Sequence, residues 1–181
     1  MDTLNDRSYL AGLKYVMKYG IKSDDRTGTG TIRYSGLQSR YYPAKGYPLL
    51  TTKKVLFYPM LIELLWFLQG RNDLQWLQDR KCNIWNSWHH EDGSIGPGYG
   101  VQWRRWPKGA IHCVDQIKEV IESIKSNPNS RRHIVNAWNV SQIDEMALPP
   151  CHFNFQFNVI NETLDLVLTQ RSGDMFLGVN R

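Results

Sequence analysis

Cysteine is scarce and unpaired, with three residues in 181, at positions 82, 113 and 151. An odd number excludes a closed disulfide framework, and the wide spacing excludes a zinc-type cluster, so no metal site is expected. No apolar run approaches the ~20 residues that a membrane-spanning helix needs, and no signal-type apolar segment opens the chain. Internal repeats, low-complexity tracts and linkers are absent too, so residues 1–181 are expected to form one domain. Together these absences point to a soluble protein in the reducing cytoplasm, without a membrane partner. In that setting a cysteine is either a buried small hydrophobe or a reactive thiolate.

What is present argues for a packed globular fold, since 41% of residues are hydrophobic and 12% aromatic. The seven tryptophans are candidates for core filling first and for gripping flat ligands second. A net charge of +5 suits an anionic partner. The excess is spread along the chain and forms no tail, so a small anionic ligand fits at least as well as a nucleic acid.

Hydrophobic periodicity predicts a helix over 4–19, with Leu10, Leu13, Val16 and Met17 at helical spacing and Gly20 as C-cap. Residues 24–30 read as a polar, Gly-rich loop and 31–42 as extended. Residues 57–69 are apolar nearly all round, which predicts a buried helix, and inside it sits one carboxylate, Glu63. An amphipathic helix over 113–126 ends at Asn127-Pro128. Residues 152–159 and 164–170 alternate like strands around a short turn at 160–163, which predicts an antiparallel hairpin. The alternation sets Phe153, Phe155, Phe157 and Val159 against His152, Asn154, Gln156 and Asn158. Helices mixed with paired strands make the class α+β.

Leu148-Pro149-Pro150-Cys151-His152 places a cysteine just ahead of the first of these strands. Two prolines fix the backbone in front of it, which suits a side chain that must be aimed. A thiolate attacks where a thiol does not, so a reactive cysteine needs cationic or polar neighbours. Arg26, Lys53-Lys54, Arg131-Arg132 and Arg171 are the basic positions that stand out. A guanidinium fork can bind phosphate through two parallel hydrogen bonds, but an arginine pair also serves as a solvated surface. On spacing alone, an inert buried cysteine is the favoured reading of Cys151 and a nucleophile the minority one.

The joint pattern is more specific. The strings DRTGTGT (25–31), PLLTTKK (48–54), IELLWFLQG (62–70), GPGYGVQWR (96–104), NPNSRRHIV (127–135), ALPPCH (147–152) and QRSGDMFLGV (170–179) occur in one order along the chain. In content, order and spacing they resemble the thymidylate synthases, and the resemblance covers essentially the whole sequence.

That resemblance implies a thymidylate synthase fold of the α+β class, a twisted mixed β-sheet with helices packed on one face, C-terminally truncated here. It implies transfer and reduction of a one-carbon unit from 5,10-methylenetetrahydrofolate, as co-substrate, to C5 of dUMP. Cys151 matches the nucleophile that adds to C6 of the uracil ring. Arg26, Arg171 and the pair Arg131 and Arg132 match the phosphate ligands, the pair reaching across a homodimer into the partner's site. Ser172 matches a phosphate-contacting hydroxyl, while Gln170 and Asp174 match ligand contacts, to nucleotide and folate respectively, with Asp174 near both. Glu63 matches a carboxylate that orders water and handles protons, and a lone carboxylate in an apolar helix is costly unless paired or put to use. Tyr99 and His152 match members of a proton relay. Ile84, Trp85, Trp88, Leu177 and Gly178 match the folate pocket, where aromatic rings stack on the pterin and p-aminobenzoyl rings. Lys53 matches a lysine near the folate tail carboxylates.

Three departures stand out against the family pattern. Asn86 stands where many members have Asp, and Gly173 replaces a small Cys or Ala; neither removes a catalytic group. The family continues Pro-Phe-Asn-Ile-Ala-Ser-Tyr after FLGV, whereas this sequence ends Asn180-Arg181. The groups expected past that point read the pyrimidine edge and the deoxyribose hydroxyl, so the 181 residues alone are expected to turn over negligibly. Two other readings stay open: a deoxypyrimidine-nucleotide hydroxymethylase of the same fold, and a non-catalytic fragment that dimerises or binds RNA through its basic surface.

Overall fold

The computed structural model describes residues 4–25 and 28–176. The chain separates into two compact units, Met1–Leu56 with Asp174–Arg181, and Phe57–Gly173.

In the first unit, α1 (Leu4–Tyr19) is followed by the short antiparallel pair β1 (Ile21–Ser23) and β2 (Thr31–Arg33). Gly20 ends α1 as its sequence suggests, with its N–H bonded to the Val16 carbonyl at 2.8 Å. Asp6, fully buried on α1, anchors the PLLTTKK segment. Its two carboxylate oxygens accept from the Thr51 N–H at 2.8 Å and the Thr51 hydroxyl at 2.7 Å. The extended reading of 31–42 is too long: pairing stops at Arg33, and a 3-10 turn forms at Pro43–Lys45.

The second unit holds α2 (Phe57–Leu68), α3 (Leu74–Gln78), α4 (Tyr99–Arg105), the hairpin β3 (Trp106–Lys108) and β4 (His112–Val114), and α5 (Gln116–Ser126). It continues with β5 (Ile134–Asn136), a 3-10 helix at Val140–Glu145, β6 (His152–Ile160) and β7 (Thr163–Gln170). β5, β6 and β7 form one antiparallel sheet. The α+β class holds. Where the resemblance implies one large mixed sheet, the described residues pair in three separate antiparallel sheets.

The core gathers Trp66 and Phe67 of α2, Leu77 of α3, Tyr99 and Trp103 of α4, Val120 of α5, Val135 of β5, and Cys82, Trp85 and Ile95 from the connections. α2 is buried on one face only: Ile62, Trp66 and Phe67 point inward, while Leu61, Leu64 and Leu65 remain exposed. α5 starts at Gln116 and not at 113, because Asp115 caps it by accepting the Lys118 N–H at 3.0 Å, and residues 112–114 are drawn into β4. α2 and α4 cross closely at Gly100, where a Cβ would lie 2.7 Å from the Phe67 carbonyl oxygen.

β6 does not keep the strict alternation its sequence suggests. A register irregularity between His152 and Asn154 turns the strand at its start. His152 therefore faces the same aromatic cluster as Phe155: its ring stacks on Tyr99 at 4.4 Å, while Phe155 packs edge-on against Trp103 at 5.2 Å.

Candidate active site

The second unit converges on Cys151. Its half-buried residue is held by the backbone on both sides. The Cys151 N–H donates to the Tyr99 hydroxyl oxygen at 2.7 Å, and the Cys151 carbonyl accepts from the Arg171 N–H at 2.8 Å. The two prolines before it add a second clamp. Arg171 donates from Nε to the Pro150 carbonyl and from Nη2 to the Pro149 carbonyl, each at 2.9 Å. Its guanidinium lies 5.4 Å from the centre of the Trp138 ring, a cation–π contact. A guanidinium carries five N–H donors, so after these two bonds others remain for an anion at the loop.

Tyr99 sits at the start of α4 and is nearly fully buried. Burial, above all, raises its pKa well beyond the usual phenol range; the hydrogen bond from the Cys151 N–H opposes this, negative charge on Cys151 and Glu63 adds to it, and Arg171 opposes it weakly. The hydroxyl therefore stays neutral and keeps its proton. Burial also pushes the His152 imidazole down, from 6.5 to about 4, so at neutral pH it is an uncharged ring with a free lone pair.

Glu63 is half-buried on α2 and accepts a hydrogen bond from the Trp85 indole N–H at 2.8 Å. Trp85 is buried among Trp66, Phe67 and Tyr99, with ring centres 6.0, 6.2 and 5.9 Å away. Trp88 lies edge-on to it at 6.5 Å, and Trp88 and Ile84 are half-buried at the rim of the core. Apolar ring surface and a carboxylate thus meet on one side of the Tyr99–His152 stack.

Of the residues the sequence singles out, the second unit brings together Cys151, Tyr99, His152, Arg171, Glu63, Ile84, Trp85 and Trp88. Gln170, exposed at the end of β7, pairs opposite His152, and Ser172 is exposed just beyond it. Arg131 and Arg132 are exposed in the turn from α5 to β5. Arg132 lines an open cleft of about 330 Å³ with Glu119, Ser123 and Trp106, away from the cysteine. In the first unit, the Lys53 ammonium donates to the Phe176 carbonyl and lies 5.8 Å from the Tyr9 ring centre. Asp174 accepts the Phe176 N–H at 2.8 Å. Arg26, Leu177 and Gly178 lie outside the described residues.

Two participants escape a reading by motif. Trp138, beneath Arg171, carries no chemistry that would single it out in sequence. Gln102 lies inside a recognised string, but only its burial and bonds reveal it. Among the described residues, no group of three or more His, Cys, Asp or Glu side chains is placed to hold a metal ion. No described helix is long and apolar enough to cross a membrane.

The family model described as thymidylate synthase matches residues 7–181. A curated thymidylate synthase from Corynebacterium aurimucosum is 50% identical over 179 residues, which is 99% of this chain and 67% of that relative.

Proposed function

The chain belongs to the thymidylate synthase family, and on that premise we propose that its Cys151 site converts dUMP to dTMP. The observation that carries this reading is the doubly anchored Cys151 backbone, between the Tyr99 hydroxyl and the Arg171 N–H.

The Cys151 thiolate adds to C6 of the uracil ring, and the electron pair of the C5–C6 bond moves toward C5 and O4. C5 then acts as the nucleophile for the one-carbon unit, which a covalent adduct makes easier by splitting one hard step into two. Bound 5,10-methylenetetrahydrofolate supplies that unit and then a hydride, and leaves as dihydrofolate. The C5 proton departs toward the neutral Tyr99 and His152 side chains, and expulsion of Cys151 restores the ring double bond. Arg171 does two jobs, holding the loop by its prolyl carbonyls and offering its remaining N–H groups to the phosphate. The family pattern assigns Ser172 and Arg26 to the same phosphate and Gln170 to the nucleotide.

The rim formed by Trp88 and Ile84 fits the flat rings of a folate, with half-buried apolar surface beside a carboxylate. Trp85, buried and bonded to Glu63, serves that pocket by orienting the carboxylate more than by its own face. Lys53, Asp174, Leu177 and Gly178 are assigned to folate by the family pattern. Arg131 and Arg132, exposed in the turn from α5 to β5, fit phosphate ligation in a partner subunit, so the proposed working state is a homodimer, placed in the cytoplasm.

Calorimetric binding of dUMP and deoxyuridine tests the phosphate assignment. Arg171→Ala is expected to weaken dUMP by roughly tenfold or more, the scale of a lost charge-assisted hydrogen bond, and deoxyuridine much less. Equal weakening of both, or none, contradicts it.

A further inference from the structure

Gln102 is fully buried and both polar atoms of its amide are hydrogen-bonded. Its Nε2 donates to the Pro97 carbonyl at 2.7 Å and to Gln142 Oε1 at 3.0 Å. Its Oε1 accepts from Asn139 Nδ2 at 3.1 Å. Asn139 Nδ2 also donates to Gln142 Oε1 at 3.1 Å, which closes a triangle of three amides. The Gln102 backbone carbonyl accepts from Gln116 Nε2 at 2.8 Å, and that same nitrogen donates to the Asn136 carbonyl of β5 at 2.8 Å.

Two segments meet at this amide, and they carry the two halves of one contact. Pro97 leads through Gly98 into α4, whose first residue is Tyr99. Gln142 belongs to the 3-10 helix Val140–Glu145, which leads directly into the Cys151 loop. The segments also touch beyond Gln102. The Ala147 N–H donates to the Ile95 carbonyl at 3.1 Å, and a Cβ on Gly96 would lie 2.1 Å from the Glu145 carbonyl oxygen. Gln102 is thus the side chain that bonds both the approach to Tyr99 and the approach to Cys151. Gln102 and Asn139 are buried and hydrogen-bonded, so a shift of either leaves a polar group unmatched in a low-dielectric interior.

We propose that Gln102 is a positioning residue for the nucleophile, setting the Tyr99 hydroxyl against the Cys151 N–H by tying the two segments that carry them. The consequence for catalysis rests on Cys151 being the nucleophile. The test below reads the Cys151 amide itself and does not depend on turnover.

Hydrogen exchange of the ¹⁵N-labelled chain, resolved by residue, measures the contact. Tyr99→Phe removes the acceptor and is expected to speed exchange of the Cys151 amide by roughly five- to tenfold, with its proton resonance moving upfield. Gln102→Leu is expected to do the same to Cys151, while amides of α2 keep their protection. The double variant is expected to match Tyr99→Phe alone, since the strut then has no contact to set. A merely structural role gives a different pattern, with faster exchange throughout α2 and additive effects on Cys151. That pattern, or an unchanged Cys151 amide, overturns the proposal. Should Gln102→Leu fail to fold, Gln142→Leu breaks the same tie at a half-buried position and must loosen the Cys151 amide alike; an unchanged amide there overturns the proposal equally.

Discussion

His152 shows how burial sets both chemistry and stability at one residue. Its imidazole titrates at about 4 in the fold against 6.5 in the open chain. As pH falls, the unfolded chain takes up the proton first, so this contribution is complete above about 6.5 and is lost as pH descends toward 4. At about 1.4 kcal/mol per pKa unit the full loss is roughly 3 kcal/mol. Urea unfolding between pH 7 and pH 4 is therefore expected to show a steeper loss of stability in the parent than in His152→Phe; parallel curves would contradict the burial argument. The neighbouring Trp85 carries a second residue-scale expectation. Trp85→Phe keeps most of the ring but removes the N–H that bonds Glu63. It should lower the unfolding free energy read from urea titration by about 1–3 kcal/mol, the scale of a hydrogen bond lost from a carboxylate, and an unchanged value would contradict that bond.

At the scale of elements, the crossing of α2 and α4 is decided by one hydrogen atom. Helix propensity alone favours alanine over glycine at position 100 by about 1 kcal/mol. Close approach opposes it, because the new Cβ would meet the Phe67 carbonyl at 2.7 Å and the Arg71 carbonyl at 3.1 Å. Overpacking against backbone costs about 1–3 kcal/mol, so Gly100→Ala is expected to lower the thermal midpoint; a raised midpoint would show that the helices give way freely. Such contacts mark the limit of what periodicity reveals. α1, α2, α5 and the β6–β7 hairpin are legible because each repeats its pattern over eight residues or more. β1 through β5 are three residues each, too short for a period of two to stand out. The irregularity that turns His152 toward Tyr99 breaks the very alternation from which its face is read. Cys151, Glu63 and Arg171 are legible through their strings, whereas Gln102 and Trp138 are identified by partners distant in sequence.

For the whole molecule, the apolar row on β7 matters most. Leu164, Leu166 and Leu168 lie on the same face as Val159, Phe157 and Phe155, yet they are 54%, 57% and 52% exposed. An uncovered leucine row on an edge strand promotes association. Replacing the three by serine is expected to reduce concentration-dependent light scattering while leaving the circular dichroism spectrum intact; undiminished scattering would place the association elsewhere. The central claim, that Cys151 is the nucleophile of a nucleotide site, is tested most directly by cysteine-resolved alkylation. Iodoacetamide labelling of all three thiols is followed by peptide mass spectrometry with and without dUMP. Cys113 is exposed and Cys82 buried, so they serve as internal standards for free and shielded thiols. The account predicts that dUMP slows labelling of Cys151 alone, and that deoxyuridine at the same concentration protects it far less. Protection of Cys113 to the same degree, or no protection of Cys151 at saturating dUMP, would contradict it.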